Sequence, residues 1–455
     1  MRVWFNKTFS SVHAALCLIR KADADGRYEL VASSPNPHAL VKTASHHFFD
    51  EPSKVTGVEY LDWCENFCLR HEIDIFIPGK EAALLAGEHE RFRNAGTKIM
   101  SCATRDNLDL IHNKGRFYEL VKCDPAPAPA CIPCSSPKEF EDAYAQLAAK
   151  HGELCIKPSV SVYGIGFRRI REDRSAFELF SGGHDYQLDL ASLRSMLSSQ
   201  EQFPTMLVME YLGGSEFSVD CIADQGTLKC AIARRKPPGI AGGQVIDPRD
   251  DIQEACHAVV AQFGSNGYAN IQFREGKEGL RILEVNPRMS GGIGMACLAG
   301  PNLPYLGLVG FDRGYDAVDI PAVSAGIRVA EYNQGTILSV ADTHLRGDLP
   351  MGRIEITVDR AEIPPHELFS LATRNNPKRP FLFLSPVLGN PLPVTPKAME
   401  DVHERLSRHI PDLPQPVIFI GMAETATGLG QGVFEAWQRT HPGQEAVFLH
   451  TTRYQ

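Results

Sequence analysis

Apolar residues along this chain switch repeatedly between unbroken short runs and helical spacing, and each switch marks an element. Arg2–Phe5 (RVWF), Tyr28–Ser34 (YELVASS), Ile73–Pro78 (IDIFIP) and the run KIMSCA predict strands. His13–Arg20, Leu61–His71 and Ala82–Ala95 carry apolar residues at helical spacing between them. Strands alternating with helices predict a parallel, doubly wound lobe over residues 1–105. The loop Asn6–Ser11 follows the first strand, where such sheets bind ligands. It holds Lys7 but no G-x-G-x-x-G, so nothing in it predicts a dinucleotide.

The middle of the chain changes character. Asp106–Cys123 reads as a helix or a pair of helices carrying Lys114, and the proline-rich DPAPAPACIP reads as an extended connector. Glu139–Lys150 is a helix, and ELCIK is a strand ending at Lys157-Pro158. The segment SVSVYGIGFRRI turns through Gly164 and Gly166 into another strand. A lysine at a strand end before a glycine turn suits a phosphate, because a cation and free N–H groups face the anion together. Met206–Met209, Glu216–Asp220 and Cys230–Lys236 are further strands. The glycine loop Pro237–Gln244 and an amphipathic helix, Asp250–Phe263, come next.

Gly267–Gly292 is the most informative stretch. YANIQF and LRILEV flank REGKEG, which predicts a β-hairpin turning near Lys277. Alternation puts Gln272, Glu284 and Asn286 on one face, with Gln272 opposite or diagonal to Glu284. Three oxygen-bearing side chains at one spot suit Mg²⁺, a hard cation that shares its ligands with phosphates. On residue type alone, the same three equally suit a solvated face. Pro287 ends the strand, and Arg288 and Ser290-Gly291-Gly292 follow.

Beyond Pro301 the pattern continues with strands in AGIRVAEY and MGRIEITVD. A separate unit is expected to start at Arg374–Lys378. Its elements are a strand-rich PFLFLSPVLGNPLPV, a helix over Lys397–Ile410 and a buried strand at Val417–Met422. A glycine-led helix and a last strand, Ala446–Arg453, complete it.

The length of 455 residues exceeds what one core holds, so two to four lobes are expected. A net charge of −9 without a basic run excludes a dedicated nucleic-acid binder. No apolar run reaches the ~18 residues of a membrane span, and the first residues lack a signal-peptide pattern. Twelve cysteines lie scattered without a framework, which predicts a reduced, cytoplasmic protein.

The order of these pieces resembles the ATP-grasp superfamily. The matching residues are Lys114, Lys157 with the YGIG loop, MEYLGGSEFSVD, NIQF and LEVNPRMSGG. Within it the chain is most similar to the ATP-grasp proteins linked to tellurium-resistance (Ter) operons. The resemblance implies an α/β architecture with a pre-ATP-grasp, Rossmann-like lobe at 1–105 and an ATP-grasp fold at 106–360. The latter would hold a small lobe at about 125–210 and a large lobe at about 211–310 with an appendage. Residues 361–455 resemble the opening of a phosphoribosyltransferase-like domain. There Thr425–Gly428 would lie at the pyrophosphate turn, and a downstream phosphate loop is missing from this sequence.

Carried onto matching positions, the resemblance makes Lys114 and Lys157 the lysines on the ATP phosphates, with Tyr163, Gly164 and Gly166 in the covering loop. Glu210, Tyr211 and Leu212 form the adenine hinge, read through backbone groups, and Glu216 holds the ribose. Gln272, Glu284 and Asn286 bind Mg²⁺ or Mn²⁺. Arg288 contacts the transferring phosphoryl group, with Arg234 or Arg235 as second candidates. Fewer glycines than usual stand in the phosphate loop, where Val160, Val162 and Tyr163 sit instead. The implied reaction joins a small-molecule carboxylate to an amine or thiol at the cost of ATP. The implied setting is a homodimer or an association with other operon proteins, with no nucleic acid and no membrane. The competing expectations are a non-catalytic ATP-binding or sensory module and an ATP-grasp unit partnered with a phosphoribosyltransferase.

Overall fold

The computed structural model describes every residue except 7–9, 162–163, 182–185, 239–242, 333–343, 350–351, 359–364, 374–380, 389–391, 412, 424–425 and 453–455. Lys7, Tyr163, Thr425, the segment Arg374–Lys378 and the middle of the loop Pro237–Gln244 therefore lie outside the described residues. The chain divides into two compact units, Met1–Gln334 and Gly335–Gln455.

The first unit opens with five parallel strands, Arg2–Phe5, Glu29–Ser34, His47–Asp50, Ile75–Ile77 and Lys98–Ile99. Their spatial order is third, second, first, fourth, fifth. Alternation sends Val3, Phe5, Leu30, Ala32 and Ile75 to one face, where Leu16 and Ile19 of the helix Ser10–Ala22 cover them. Trp4, Val31 and Phe76 go to the other face, against Tyr60, Cys64 and Phe67 of Gly57–His71. Trp4 stacks on Phe76 at 4.0 Å and on Phe67 at 4.3 Å between ring centroids. The helix expected over Ala82–Ala95 is instead two, Ala82–Ala86 and His89–Asn94. Gly87 turns back to the Leu84 carbonyl between them and breaks the run.

A second sheet is ordered Cys131–Cys134, Met206–Glu210, Leu154–Pro158, Arg168–Arg171, Gln187–Asp189. Phe140, Ala143 and Leu147 of the helix Pro137–Ala148 pack on Ile156, Ile170 and Val208. Here the connector reading needs correction, because ACIPC pairs antiparallel with Met206–Met209. It is an edge strand, where the missing N–H of Pro133 costs no ladder bond.

The third sheet is six-stranded and antiparallel, ordered Gly279–Asn286, Gly267–Gly276, Glu216–Asp224, Thr227–Lys236, Gln244–Ile246, Arg328–Val329. The helix Asp250–Gln262 buries Ile252, Val259 and Val260 against Phe217, Val219, Ile271 and Phe273. Leu303–Arg313 covers the other face at Ile222, Ile232 and Tyr268. The AGIRVAEY strand contracts to Arg328–Val329. Between the first two sheets stand Arg105–His112 and Lys114–Leu120. They are two helices because Asn113 interrupts them with extended backbone and caps the second, its Oδ1 accepting from Arg116 N–H at 3.2 Å.

The second unit holds the hairpins His344–Leu349 with Gly352–Thr357 and Ser370–Thr373 with Phe381–Leu384. It also holds parallel strands Val417–Gly421 and Ala446–His450, and helices Pro396–Ser407 and Thr427–Thr440. Val417–Gly421 is not buried throughout as expected. Phe419 packs on Phe434 and Trp437, but Ile418 and Ile420 are 57% and 61% exposed, because the helix covers one face. Among the described residues no helix is long and apolar enough to cross a membrane.

Candidate functional site

The hairpin Gly267–Gly276/Gly279–Asn286 turns at Lys277 and Glu278. In its register Gln272 faces Glu284 directly, and Asn270 faces Asn286. Gln272, Glu284 and Asn286 are half-buried and line one cavity of about 980 Å³. Asn286 Nδ2 donates to Glu284 Oε1 at 3.1 Å, and Gln272 Nε2 donates to Asn270 at 3.4 Å. Among the described residues no three His, Cys, Asp or Glu side chains gather where they could hold a metal. The hairpin set offers one carboxylate and two amide oxygens. That donor set fits Mg²⁺, whose shell is commonly completed by phosphate oxygens and water.

Lys114 and Lys157 come to this set from different elements. Lys114 starts its helix, where its N–H donates to Ser159 O at 2.9 Å. The Asn113 side chain that caps this helix also accepts from Ser159 Oγ at 2.9 Å, so strand end and helix start are tied together. Lys114 Nζ donates to Ser161 O at 2.7 Å and lies 3.6 Å from Glu284 Oε2. Lys157 is opposite Leu207 in its sheet, and its Nζ donates to Tyr118 Oη at 2.8 Å. Burial, and after it the positive charge of Lys114, lower the Lys157 pKa to about 8.

Gly164 lines both cavities named here, while Tyr163 is outside the described residues. Gly166 sits at φ +81°, and a Cβ there would collide with the Pro158 ring. No other residue fits both demands.

The second cavity, about 220 Å³, is lined by Lys114, Lys157, Glu210, Tyr211, Leu212, Glu216, Gln272 and Glu284, among others. Glu210 N–H is taken by Ala130 O and Tyr211 N–H by Glu153 O. Of the backbone groups expected to read a base, the Tyr211 carbonyl and the Leu212 N–H have no backbone hydrogen bond among the described residues beyond those of the strands. The Glu210 carboxylate turns to Ala130 N–H at 2.9 Å and Arg281 at 3.5 Å. The Arg169 guanidinium lies 4.3 Å from the Tyr211 ring centroid. Glu216 accepts from Lys236 Nζ at 2.6 Å and lies 3.9 Å from Arg274.

The three arginines go to different places. Arg288 lines the larger cavity, donating to Met289 O at 2.9 Å and approaching Asn286 Oδ1 at 3.5 Å. Arg234 is 2% exposed and is the centre of a buried network. It donates to Ser218, Asp220, Ser290 and Gln244, while Asp220 also accepts from Ser290 N–H. Gly292 packs on the Arg234 guanidinium where a Cβ would clash. Arg235, on the opposite face of the strand, pairs with Asp247 at 2.7 Å. Neither Arg234 nor Arg235 lines the two cavities. Lys236 does line the larger one and shares a face with Arg234, a pairing that strand alternation in ARRK encodes. Tyr118 was also missed by sequence reasoning, since an apolar helical position carries no mark of its hydroxyl contacts.

Residues 202–335 match the family model described as "ATP-grasp in the biosynthetic pathway with Ter operon", and residues 368–455 match "Phosphoribosyl transferase". Among curated proteins the chain is similar to the arginine-specific large chain of carbamoyl phosphate synthase from Geobacillus stearothermophilus. The identity is 24% over 301 residues, covering 62% of this chain and 25% of that one. The carbamoyl phosphate synthase large chain of Corynebacterium glutamicum is 24% identical over 291 residues, covering 62% and 24%. The chain thus spans about a quarter of the length of these relatives. In fold it resembles N5-carboxyaminoimidazole synthetase from Staphylococcus aureus, with a TM-score of 0.50 and 12% identity over 70% of this chain and 78% of that one. An ADP complex of N5-carboxyaminoimidazole ribonucleotide synthetase gives a TM-score of 0.50 and 11% identity over 72% and 80%.

Proposed function

We propose that this chain, which carries a Ter-type ATP-grasp segment and a phosphoribosyltransferase-like segment, is an ATP-dependent ligase. It would activate a small carboxylate as an acyl phosphate and pass it to an amine or thiol. The observation that carries the reading is that Lys114, Lys157 and the Gln272–Glu284 pair line one cavity together with Glu210–Leu212 and Glu216. A cation pair, a hard-oxygen set and a cavity bordered by backbone groups are what a nucleoside triphosphate needs.

In the proposed reaction a carboxylate oxygen attacks the γ-phosphorus, and the bond to the ADP oxygen breaks with its electron pair. The amine or thiol then attacks the acyl carbon. Phosphate leaves with the electrons of the C–O bond, and the nucleophile's proton passes to solvent. A carboxylate alone resists this attack because its leaving group would be oxide. The protein contributes no covalent nucleophile; it neutralises charge and aligns the reactants.

Lys114 and Lys157 would balance the phosphates, and Arg288, which lines the larger cavity, would meet the transferring group. Gln272, Glu284 and Asn286 would hold Mg²⁺, which when bound supplies Lewis-acid polarisation of the phosphoryl oxygens. Glu216 would hold the ribose hydroxyls, and the Tyr211 carbonyl and Leu212 N–H the adenine edge. Arg234, buried away from the cavities, would hold Ser290 and the glycine segment in place instead of touching phosphate. We assign the protein to the cytoplasm, acting in a Ter-linked biosynthetic pathway as a homodimer or beside other operon proteins.

The test is release of ADP and phosphate by the full chain across a panel of carboxylates, each with and without amines and thiols. Release that requires both a carboxylate and a nucleophile supports the ligase. Nucleotide binding without turnover across the panel would favour a sensory module.

A further inference from the structure

The hairpin under the metal set is not regular. Phe273 pairs with Ile282 but Gln272 pairs with Glu284, so Leu283 is an extra residue, a β-bulge. Its strand, Gly279–Asn286, is also the edge of the sheet. The outer backbone groups of such a strand need partners from elsewhere. Two are supplied by the segment before the second sheet. Ile282 N–H donates to Pro127 O at 3.2 Å, and the Tyr118 hydroxyl donates to Leu283 O at 2.5 Å.

The same hydroxyl oxygen accepts from Lys157 Nζ. A phenol has one proton and free lone pairs, so both bonds stand together: the proton goes to Leu283, a lone pair to the ammonium. Tyr118 is buried and one helical turn from Lys114. The charged and titratable groups facing Lys157 are Lys114, Glu284, Cys131 and Cys155. Among the described residues only the Tyr118 hydroxyl hydrogen-bonds the Lys157 ammonium.

We propose that Tyr118 is a positioning residue that joins Lys157 to the bulge at Leu283, so that nucleotide binding and the geometry of the Gln272–Glu284–Asn286 set are coupled through one hydroxyl. The proposal rests on the nucleotide and metal reading above. The bulge is what brings Glu284 opposite Gln272, because the turn at Lys277-Glu278 in a regular ladder would place Leu283 there. A hydroxyl bonded to the bulge carbonyl and to a phosphate-facing lysine therefore transmits displacement of either to the other.

The test is a double-mutant cycle in the full chain, with Tyr118→Phe, Lys157→Ala and the pair. Calorimetry reads binding of the β,γ-imido analogue of ATP with Mg²⁺, and a Mg²⁺ titration reads half-saturation. Tyr118→Phe keeps the buried ring and is expected to weaken binding about three- to tenfold and to raise the Mg²⁺ requirement. In the Lys157→Ala background its effect on nucleotide affinity should shrink below about twofold, because the shared bond is already gone. Multiplying effects, or parental affinity in Tyr118→Phe, would overturn the proposal.

Should Tyr118→Phe not fold, Tyr118→4-aminophenylalanine keeps a donor for Leu283 and a poorer acceptor for Lys157. It should keep the parental Mg²⁺ requirement while losing nucleotide affinity, and parental nucleotide affinity in it would equally overturn the proposal. Failure of the parent protein itself to bind the analogue would refute the nucleotide site, and this proposal with it. Additivity alongside parental binding refutes only the coupling.

Discussion

Replacing Lys157 by alanine probes the proposed phosphate site most sharply. Lys157 is half-buried, and its ammonium donates to Tyr118 and sits in the repulsive field of Lys114. A triphosphate would relieve that repulsion and give the ammonium anionic partners. A hydrogen bond to a charged group contributes about 1.5–3 kcal/mol, so Lys157→Ala should weaken binding of the imido analogue about ten- to a hundredfold.

The pH dependence gives a second check. Lys157 has a pKa of about 8 in the folded protein against an ordinary 10.5. The unliganded protein therefore sheds this proton near pH 8, while bound phosphates favour the ammonium. Affinity should hold below pH 8 and fall above it, by up to about tenfold per unit. In the absence of nucleotide the sign for stability is opposite. Between about 8 and 10.5 the unfolded chain binds the proton that the folded chain has lost, so stability rises with pH there. Calorimetric titrations from pH 7 to 9.5 measure the first effect. An unchanged dissociation constant in Lys157→Ala, or the same alkaline loss of affinity in parent and variant, would refute the reasoning.

Other consequences follow from the same site. Glu284→Gln combined with Asn286→Ala should abolish Mg²⁺-dependent turnover while circular dichroism stays unchanged; parental turnover would remove the hairpin as metal set. Arg234→Met leaves the Asp220 carboxylate buried without its cation and should cost about 3–5 kcal/mol in a denaturant titration, with a loss below about 1 kcal/mol speaking against the network. Gly166→Ala demands a positive φ from alanine and pushes on Pro158. Gly164 has a positive φ as well, at +68°, but a Cβ there meets open space, so Gly166→Ala should impair nucleotide binding more than Gly164→Ala through the added clash with Pro158; equal effects would contradict that distinction.

The elements that lie on period-two or helical patterns were legible in the sequence. Four of the five parallel strands of the first sheet and the hairpin Gly267–Asn286 follow from spacing alone, whereas the edge strand His47–Asp50 was not foreseen. The common face of Gln272 and Glu284 does not follow from spacing, because with the turn at Lys277-Glu278 a regular ladder would set Leu283 opposite Gln272 and send Glu284 to the other face; only the bulge brings the two together. The bulge at Leu283 answers to Pro127 and Tyr118, far away in sequence, and no local pattern announces it. Proline-rich ACIPC read as a connector because composition hides an edge strand from view. Ile418 and Ile420 read as buried because an apolar run does not reveal how many faces its sheet has covered. Arg234 and Arg235 looked equivalent as neighbours. Alternation separates them, one into a buried carboxylate network and one toward Asp247.

Oxygen tracing tests the central claim most directly. With a carboxylate substrate from the panel labelled with ¹⁸O and an amine acceptor, ATP should yield ADP and phosphate. Mass spectrometry of that phosphate should find one oxygen from the carboxylate, the mark of an acyl phosphate. Release of AMP and pyrophosphate, or phosphate free of label during ligation, would contradict the account.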